Sequence, residues 1–144
     1  MKRMLSRTAR FGPVVMLLLA ACSTNSRPKD PCKGSLPKAE PDGIITLEGY
    51  YRSSFEISSF VPCGCDLEPD HGAGYLLSEA PGSGLHASYS PLVDTTDPFR
   101  PGPTVYIRFE GSVSERGSYG HMGAYPRQVT VNRLIEIAPD GRCP

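Results

Sequence analysis

Thr104 to Ser114 constrains this chain more than any other stretch. Val105, Ile107, Phe109 and Val113 fall on one parity, and Tyr106, Arg108, Glu110 and Ser112 on the other. A period of two with one apolar side describes a strand with one buried and one solvated face. A strand of that kind needs a sheet around it. The rest of the chain offers short strands rather than long helices, because 15 Gly and 15 Pro among 144 residues keep interrupting it.

Taken in order, the folded part starts at Gly43. Ile45, Leu47 and Tyr51 share a face opposite Thr46 and Glu48, with Gly49 as the place for a bulge or sharp bend. Arg52 to Ser54 reads as the connection to a second strand. There Phe55 and Ile57 alternate with Glu56 and Ser58. Phe60 breaks that parity, which places a bulge near Ser58 and Ser59. Pro62 ends the strand. A loop runs from Cys63 to Gly74, followed by a short strand at Tyr75 to Leu77. Ser83 to Val93 has helical spacing for one or two turns, with Ser83 as N-cap and Pro91 limiting its length. Asp94 to Pro103 and Glu115 to Arg127 read as loops. Val129, Val131, Ile135 and Ile137 alternate through a last strand, and the order of Arg133 and Leu134 implies a bulge there. Three strands, a short helix and two more strands describe a mainly β domain, a small five-stranded OB-like barrel. A small open sheet or sandwich is the competing layout.

The segment before the domain is of a different kind. Lys2, Arg3, Arg7 and Arg10 precede the uncharged run Val14 to Ala21, which is shorter than the roughly 20 residues of a permanent span. Residues 1–21 therefore read as a signal peptide. Leu19-Ala20-Ala21-Cys22 resembles the lipobox of bacterial lipoproteins, cut before a Cys that carries diacylglycerol. Cys22 is the expected lipidation site, giving a membrane attachment through an N-terminal lipid. Ser23, in place of the Asp that retains such proteins in the inner membrane of diderm bacteria, points to the outer membrane, facing the periplasm. Residues 22–42 are polar and rich in Pro, Ser and Lys, the composition of a disordered tether. Residues 43–144 form the barrel domain.

Fifteen Lys+Arg balance fifteen Asp+Glu, for a net charge of +0. That and the envelope address argue against nucleic acid, although OB-like barrels bind oligonucleotides and sugars on a sheet face that Tyr50, Tyr106 and Arg108 could line. Glu56, Glu79, Glu110, His86 and His121 are isolated acid or base candidates without a recognisable catalytic motif, so the chain reads as non-enzymatic with no cofactor. Loops bearing Tyr119, His121 and Tyr125 suit contact with another envelope protein.

Gly49-Tyr50-Tyr51, Phe55-Glu56-x-Ser58-Ser59-Phe60-x-Pro62-Cys63-Gly64 and Gly117-x-Tyr119-Gly120-His121-Met122-Gly123-x-Tyr125 resemble segments of uncharacterised bacterial envelope lipoproteins with one OB-like domain. More distantly, the domain is similar to the C-terminal OB-like domain of an outer-membrane lipoprotein linked to copper tolerance and surface sensing. The metal-associated CxxC of that relative lies in a separate domain, and this chain has CxC. The resemblance implies fold and location, and no activity.

With Cys22 lipidated, Cys32, Cys63, Cys65 and Cys143 remain, an even number in an exported chain and hence two disulfides. A Cys63–Cys65 bond would close a strained ring, so each of these two pairs with Cys32 or Cys143, and Cys32 would pin the tether to the domain. The family pattern, with Cys63 closing a core strand, implies Cys63–Cys143, which leaves Cys32–Cys65 as an added pair. The competing function is copper or zinc handling by Cys63, Cys65, His71, His121 and Met122. The two readings differ in the oxidation state of Cys63 and Cys65, because a disulfide sulfur is not a thiolate ligand.

Overall fold

The computed structural model describes residues 29–32, 34, 36–38, 43–67, 74–97 and 99–144. Its strands are β1 (Ile45–Ser54), β2 (Ile57–Pro62), β3 (Tyr75–Glu79), β4 (Val105–Val113) and β5 (Gln128–Ala138), with one helix, α1 (Leu85–Tyr89), between β3 and β4. The strands close into a barrel in the order β1-β2-β3-β5-β4. All pairs are antiparallel except β3 with β5. This plan fits the OB-like expectation and excludes the open sheet.

β1 is the shared strand. Ile45 to Tyr51 pairs with β4 and Gly49 to Ser54 with β2, so Gly49, Tyr50 and Tyr51 are bonded on both edges. Neither register shifts at Gly49, so there is no bulge. Its glycine is required because a Cβ would collide with the Val61 carbonyl and the Pro62 backbone. Such close approach of a second backbone is the other reason for glycine in a strand.

The β1–β2 hairpin differs from expectation. β1 continues through Ser54, Ser54 pairs with Ile57, and Phe55 and Glu56 alone make the turn. The register then holds without a shift to Gly49↔Pro62, so the bulge expected at Ser58 and Ser59 is absent. Phe60, opposite Tyr51, is fully buried, whereas Phe55 and Ile57 are exposed. The alternation was real and its inward parity was the other one. Glu56 takes φ 61 at the second turn position, where Gly or Asn is usual.

β5 carries the expected irregularity, twice. Its pairing with β4 slips between Arg108 and Phe109 and again between Glu110 and Gly111, skipping Ile135 and Asn132. Ile135, expected inside, is one of the residues passed over and is exposed. Leu134, opposite Phe109, packs against the core instead. Such bulges let a strand coil around a small barrel.

The core runs through the barrel as Leu47, Tyr51, Phe60, Tyr75, Leu77, Ile107, Phe109, Val129 and Val131, with Phe60 and Phe109 edge to face at 5.3 Å. α1 contributes Leu85 and Tyr89, both buried. The Tyr89 ring lies 4.7 Å from that of Tyr51, and its hydroxyl accepts from the Ser53 amide and donates to the Pro103 carbonyl. At the start of α1, Ser83 Oγ accepts from the Leu85 amide, and Glu79 accepts from Ser83 Oγ and the His86 amide. Helix and flanking loop thus close one end of the barrel. A single 3₁₀ turn, Ser90–Leu92, extends the helix past Pro91.

Disulfides join Cys32 to Cys65 and Cys63 to Cys143 (S–S 2.01 and 1.98 Å). Of the expected tether, Lys29 to Cys32, Gly34 and Leu36 to Lys38 are described, and several of them lie against the barrel. Cys32 is buried, Leu36 packs on the core, and Tyr75 donates to Asp30 and to the Cys32 carbonyl. The disulfide thus shortens the free part of the expected spacer. Residues 1–28, with the expected signal peptide and Cys22, lie outside the described residues, as does His71.

Each disulfide closes a long loop, with separations of 80 for Cys63–Cys143 and 33 for Cys32–Cys65. Replacing Cys63 and Cys143 by Ser should therefore lower unfolding stability by about 4 kcal/mol, and the Cys32/Cys65 double variant by somewhat less. Urea unfolding of the two variants beside the parent measures both, and the reverse order would contradict a loop-length origin.

Candidate functional site

Segments distant in sequence meet at a cleft of about 500 Å³, with Gly74 before β3 between them. Phe55 and Glu56 come from the β1–β2 turn and Ile57 from the start of β2. His121, Tyr125 and Pro126 come from the β4–β5 connection, and Lys29 and Pro31 from the N-terminal segment. The wall is mainly apolar, and the charged groups are Lys29 and Glu56, with the His121 imidazole beside them. A cleft of this size with an apolar lining and a few polar groups has the character of a binding site.

The β4–β5 connection is better ordered than a glycine-rich loop. It extends the hairpin beyond the sheet. Ser114 donates to the Gln128 carbonyl at 2.8 Å, Gly117 to Pro126 at 2.9 Å, and Tyr119 and Tyr125 exchange backbone hydrogen bonds at 2.9 and 3.1 Å. A 3₁₀ turn, His121–Gly123, forms the tip. Gly120, at φ 73, lets the Tyr125 ring pack across it where a side chain would press on the ring.

These contacts divide the expected contact residues. Tyr125 is buried and lines the cleft, and burial raises its hydroxyl above the usual range, so it remains a neutral hydrogen-bonding group. Tyr119 is half-buried, with its hydroxyl donating to the Glu115 carbonyl. His121 and Met122 project from the tip, Met122 being 93% exposed. Glu56 and Met122 are the non-glycine residues with positive φ among the described residues, and they belong to the two loops that frame the cleft. Backbone held in this region costs free energy, and such positions gather at binding sites.

The other candidates lie elsewhere. Tyr50 and Tyr106 meet edge to face at 6.5 Å on the outside of β1 and β4. Tyr106 donates to Glu48 at 2.7 Å, Arg108 lies 3.8 Å from Glu136, and the Cys143 amide donates to the Tyr50 hydroxyl. The C-terminal segment therefore occupies part of the face expected to be open for a sugar or oligonucleotide. Glu79 is engaged with α1, and Glu110 is held below the usual carboxylate range by hydrogen bonds from Arg133. His86 contacts Ser90 on its own helix. Of the acid and base candidates, the structure brings Glu56 and His121 to one cleft.

For the metal set, the sulfurs of Cys63 and Cys65 are in disulfides and are not thiolate donors. Cys63 and Cys65 line a different cleft from His121. Among the described residues, no three His, Cys, Asp or Glu side chains converge to hold a metal ion.

Sequence reasoning missed Phe55, Ile57 and Lys29 as cleft residues. The turn at Phe55-Glu56 lacks the Asn-Gly or Asp-Gly that marks a two-residue hairpin. The Ser-rich positions before it looked more turn-like.

Two outcomes follow. Glu56→Gly relieves the left-handed strain and should raise stability by roughly 1 kcal/mol, the usual cost of that conformation less the added freedom of glycine when unfolded. A lower thermal midpoint would show that the Glu56 side chain holds the turn. The second concerns Tyr106, whose hydroxyl is pushed up to about 12 from 10.0, by burial first and then by its hydrogen bond to Glu48. The folded state thus resists losing this proton. The associated stability is whole below pH 10 and disappears as pH rises through 12. Urea midpoints should fall across that window, with a shallower fall in Tyr106→Phe.

Comparison of the chain with family models, with curated proteins and with solved structures finds no match in any of the three.

Proposed function

We propose that this is a lipid-anchored bacterial envelope protein, held by diacylglycerol on Cys22 in the outer membrane and facing the periplasm, whose barrel is a non-catalytic binding module for another envelope protein. The observation that carries the binding role is the cleft. It is framed by the β1–β2 turn and the β4–β5 hairpin, and in OB-like barrels the loops at these two positions are the ones that hold ligands. Its apolar wall of Phe55, Ile57, Tyr125 and Pro126 suits a partner's apolar side chains. Lys29, Glu56 and His121 supply polar selection at the edge, and the exposed Met122 adds a soft, adaptable contact.

The test uses intact cells. A photoreactive residue at His121 should give a discrete crosslinked product in the membrane fraction, whereas the same residue at Ile135, exposed on the β5 bulge, should not. Equal products at both positions would exclude a specific cleft. Cys22→Ser should in parallel leave unprocessed or soluble protein. Detergent partitioning unchanged from the parent would remove the anchor from this reading.

A further inference from the structure

Phe55 and Phe99 form an aromatic ridge that the barrel holds away from its core. Their rings meet edge to face at 5.6 Å, and they are 62% and 71% exposed. Single exposed apolar residues are ordinary; two large exposed rings in contact begin the kind of contiguous apolar patch that interaction sites use. Ile57, 39% exposed, lies beside Phe55 along the same cleft.

The ridge is built from two braced loops. Phe55 sits at the tip of the two-residue β1–β2 turn. In the other loop, the Phe99 amide donates to Asp97 at 3.0 Å and Arg100 pairs with Asp94 at 3.1 Å. Gly102 donates to the Ser53 carbonyl at 2.8 Å, which fixes that loop beside the end of β1. The two rings are thus presented from anchored backbone.

What covers them follows from where the chain enters the described structure. Lys29 lines the cleft together with Phe55 and Ile57. The exit point is fixed by the Cys32–Cys65 bond and by the Tyr75 hydrogen bond to Asp30. If Cys22 carries the lipid, as the proposed function has it, six residues lie between it and Lys29, and the seven steps reach at most roughly 25 Å. The leash starts at the same end of the barrel as the ridge. The opposite end of β1, at Ile44, lies up to about 30 Å away along the strand.

We propose that the Phe55–Phe99 ridge seats in the headgroup and upper acyl region of the membrane that holds the anchor, so that the barrel stands on the leaflet by this end. Phe, like Trp and Leu, is the kind of side chain that membrane-surface segments bury in that boundary layer. The lipid supplies proximity and the ridge supplies orientation, the pairing of two weak signals that gives stable seating. The cleft then opens next to the membrane surface.

The chain has no Trp, so one introduced Trp reports its own surroundings. Phe99→Trp and, separately, Ile44→Trp are made in the full lipidated protein. Ile44 is 60% exposed at the far end of β1 and serves as the reference. Both proteins are reconstituted into vesicles of phosphatidylethanolamine with a minor share of phosphatidylglycerol, with and without bromine-labelled acyl chains. Phe99→Trp should show blue-shifted emission and lose most of it to the bromines, while Ile44→Trp stays solvent-like and unquenched. Flotation with the vesicles is measured on the same samples. Flotation with equal quenching at the two positions overturns the ridge proposal and leaves the anchor standing. A blue-shifted but unquenched Phe99→Trp means the ridge is covered by protein, a second copy included, and also overturns it. Failure to float overturns the anchor and, with it, the ridge that depends on the short leash.

Discussion

The barrel depends on one strand being paired on both edges. At Gly49, Tyr50 and Tyr51 the backbone of β1 gives its hydrogen bonds to β2 on one side and β4 on the other. That arrangement needs β2 to come in close, and a hydrogen atom in place of a side chain at Gly49 is what admits the Val61 carbonyl. Gly111 repeats the device on β4, where a Cβ would strike the Thr130 carbonyl and the Phe109 ring. With these two close approaches in place, a core of moderate size is enclosed on all sides. α1 caps it through Tyr89, and the bulged β5 supplies the remaining curvature.

Much of this plan was legible in the sequence where one face is buried and the other wet. β4 reads correctly in its inward parity because its alternation is nearly unbroken, although Tyr106 on the opposite face is buried as well. The irregularity of β5 was visible in the order of Arg133 and Leu134, although which residue is skipped was not. The β1–β2 hairpin was legible in existence and misread in phase. Phe55 and Ile57 are as apolar as Phe60, and a period of two alone does not say which parity faces inward. The decision belongs to the turn, and a Phe-Glu turn with Glu56 in the left-handed region carries none of the usual turn chemistry. That difference in phase hid the cleft, since Phe55 and Ile57, on the parity expected inside, line it, and Phe55 forms one half of the exposed pair with Phe99.

The cleft itself is a product of tertiary adjacency. Lys29, Glu56 and His121 have no sequence relation to one another, and they converge because the barrel brings the β1–β2 turn next to the β4–β5 hairpin. The disulfide from Cys32 then lays the N-terminal segment alongside. Tyr119 and Tyr125, alike on the page, separate into a half-buried brace and a buried wall once the hairpin pairs them. The cleft and the aromatic pair thus share Phe55 as a common border.

The two disulfides converge on Cys63-Gly64-Cys65. The position of these bonds determines how a pull on the N-terminal segment would be carried. A pull on the N-terminal segment reaches Cys32, crosses to Cys65, passes one glycine and leaves through Cys63 toward Cys143. That route is covalent throughout and bypasses the hydrogen-bonded ladders. The β2–β3 seam, held by only the pairs Ser59↔Leu76 and Phe60↔Tyr75, the fewest of any pair of strands in the barrel, lies outside this path. Sulfur and backbone thus form a bracket between the N-terminal segment and the C-terminal end of the chain, separate from the strand pairings.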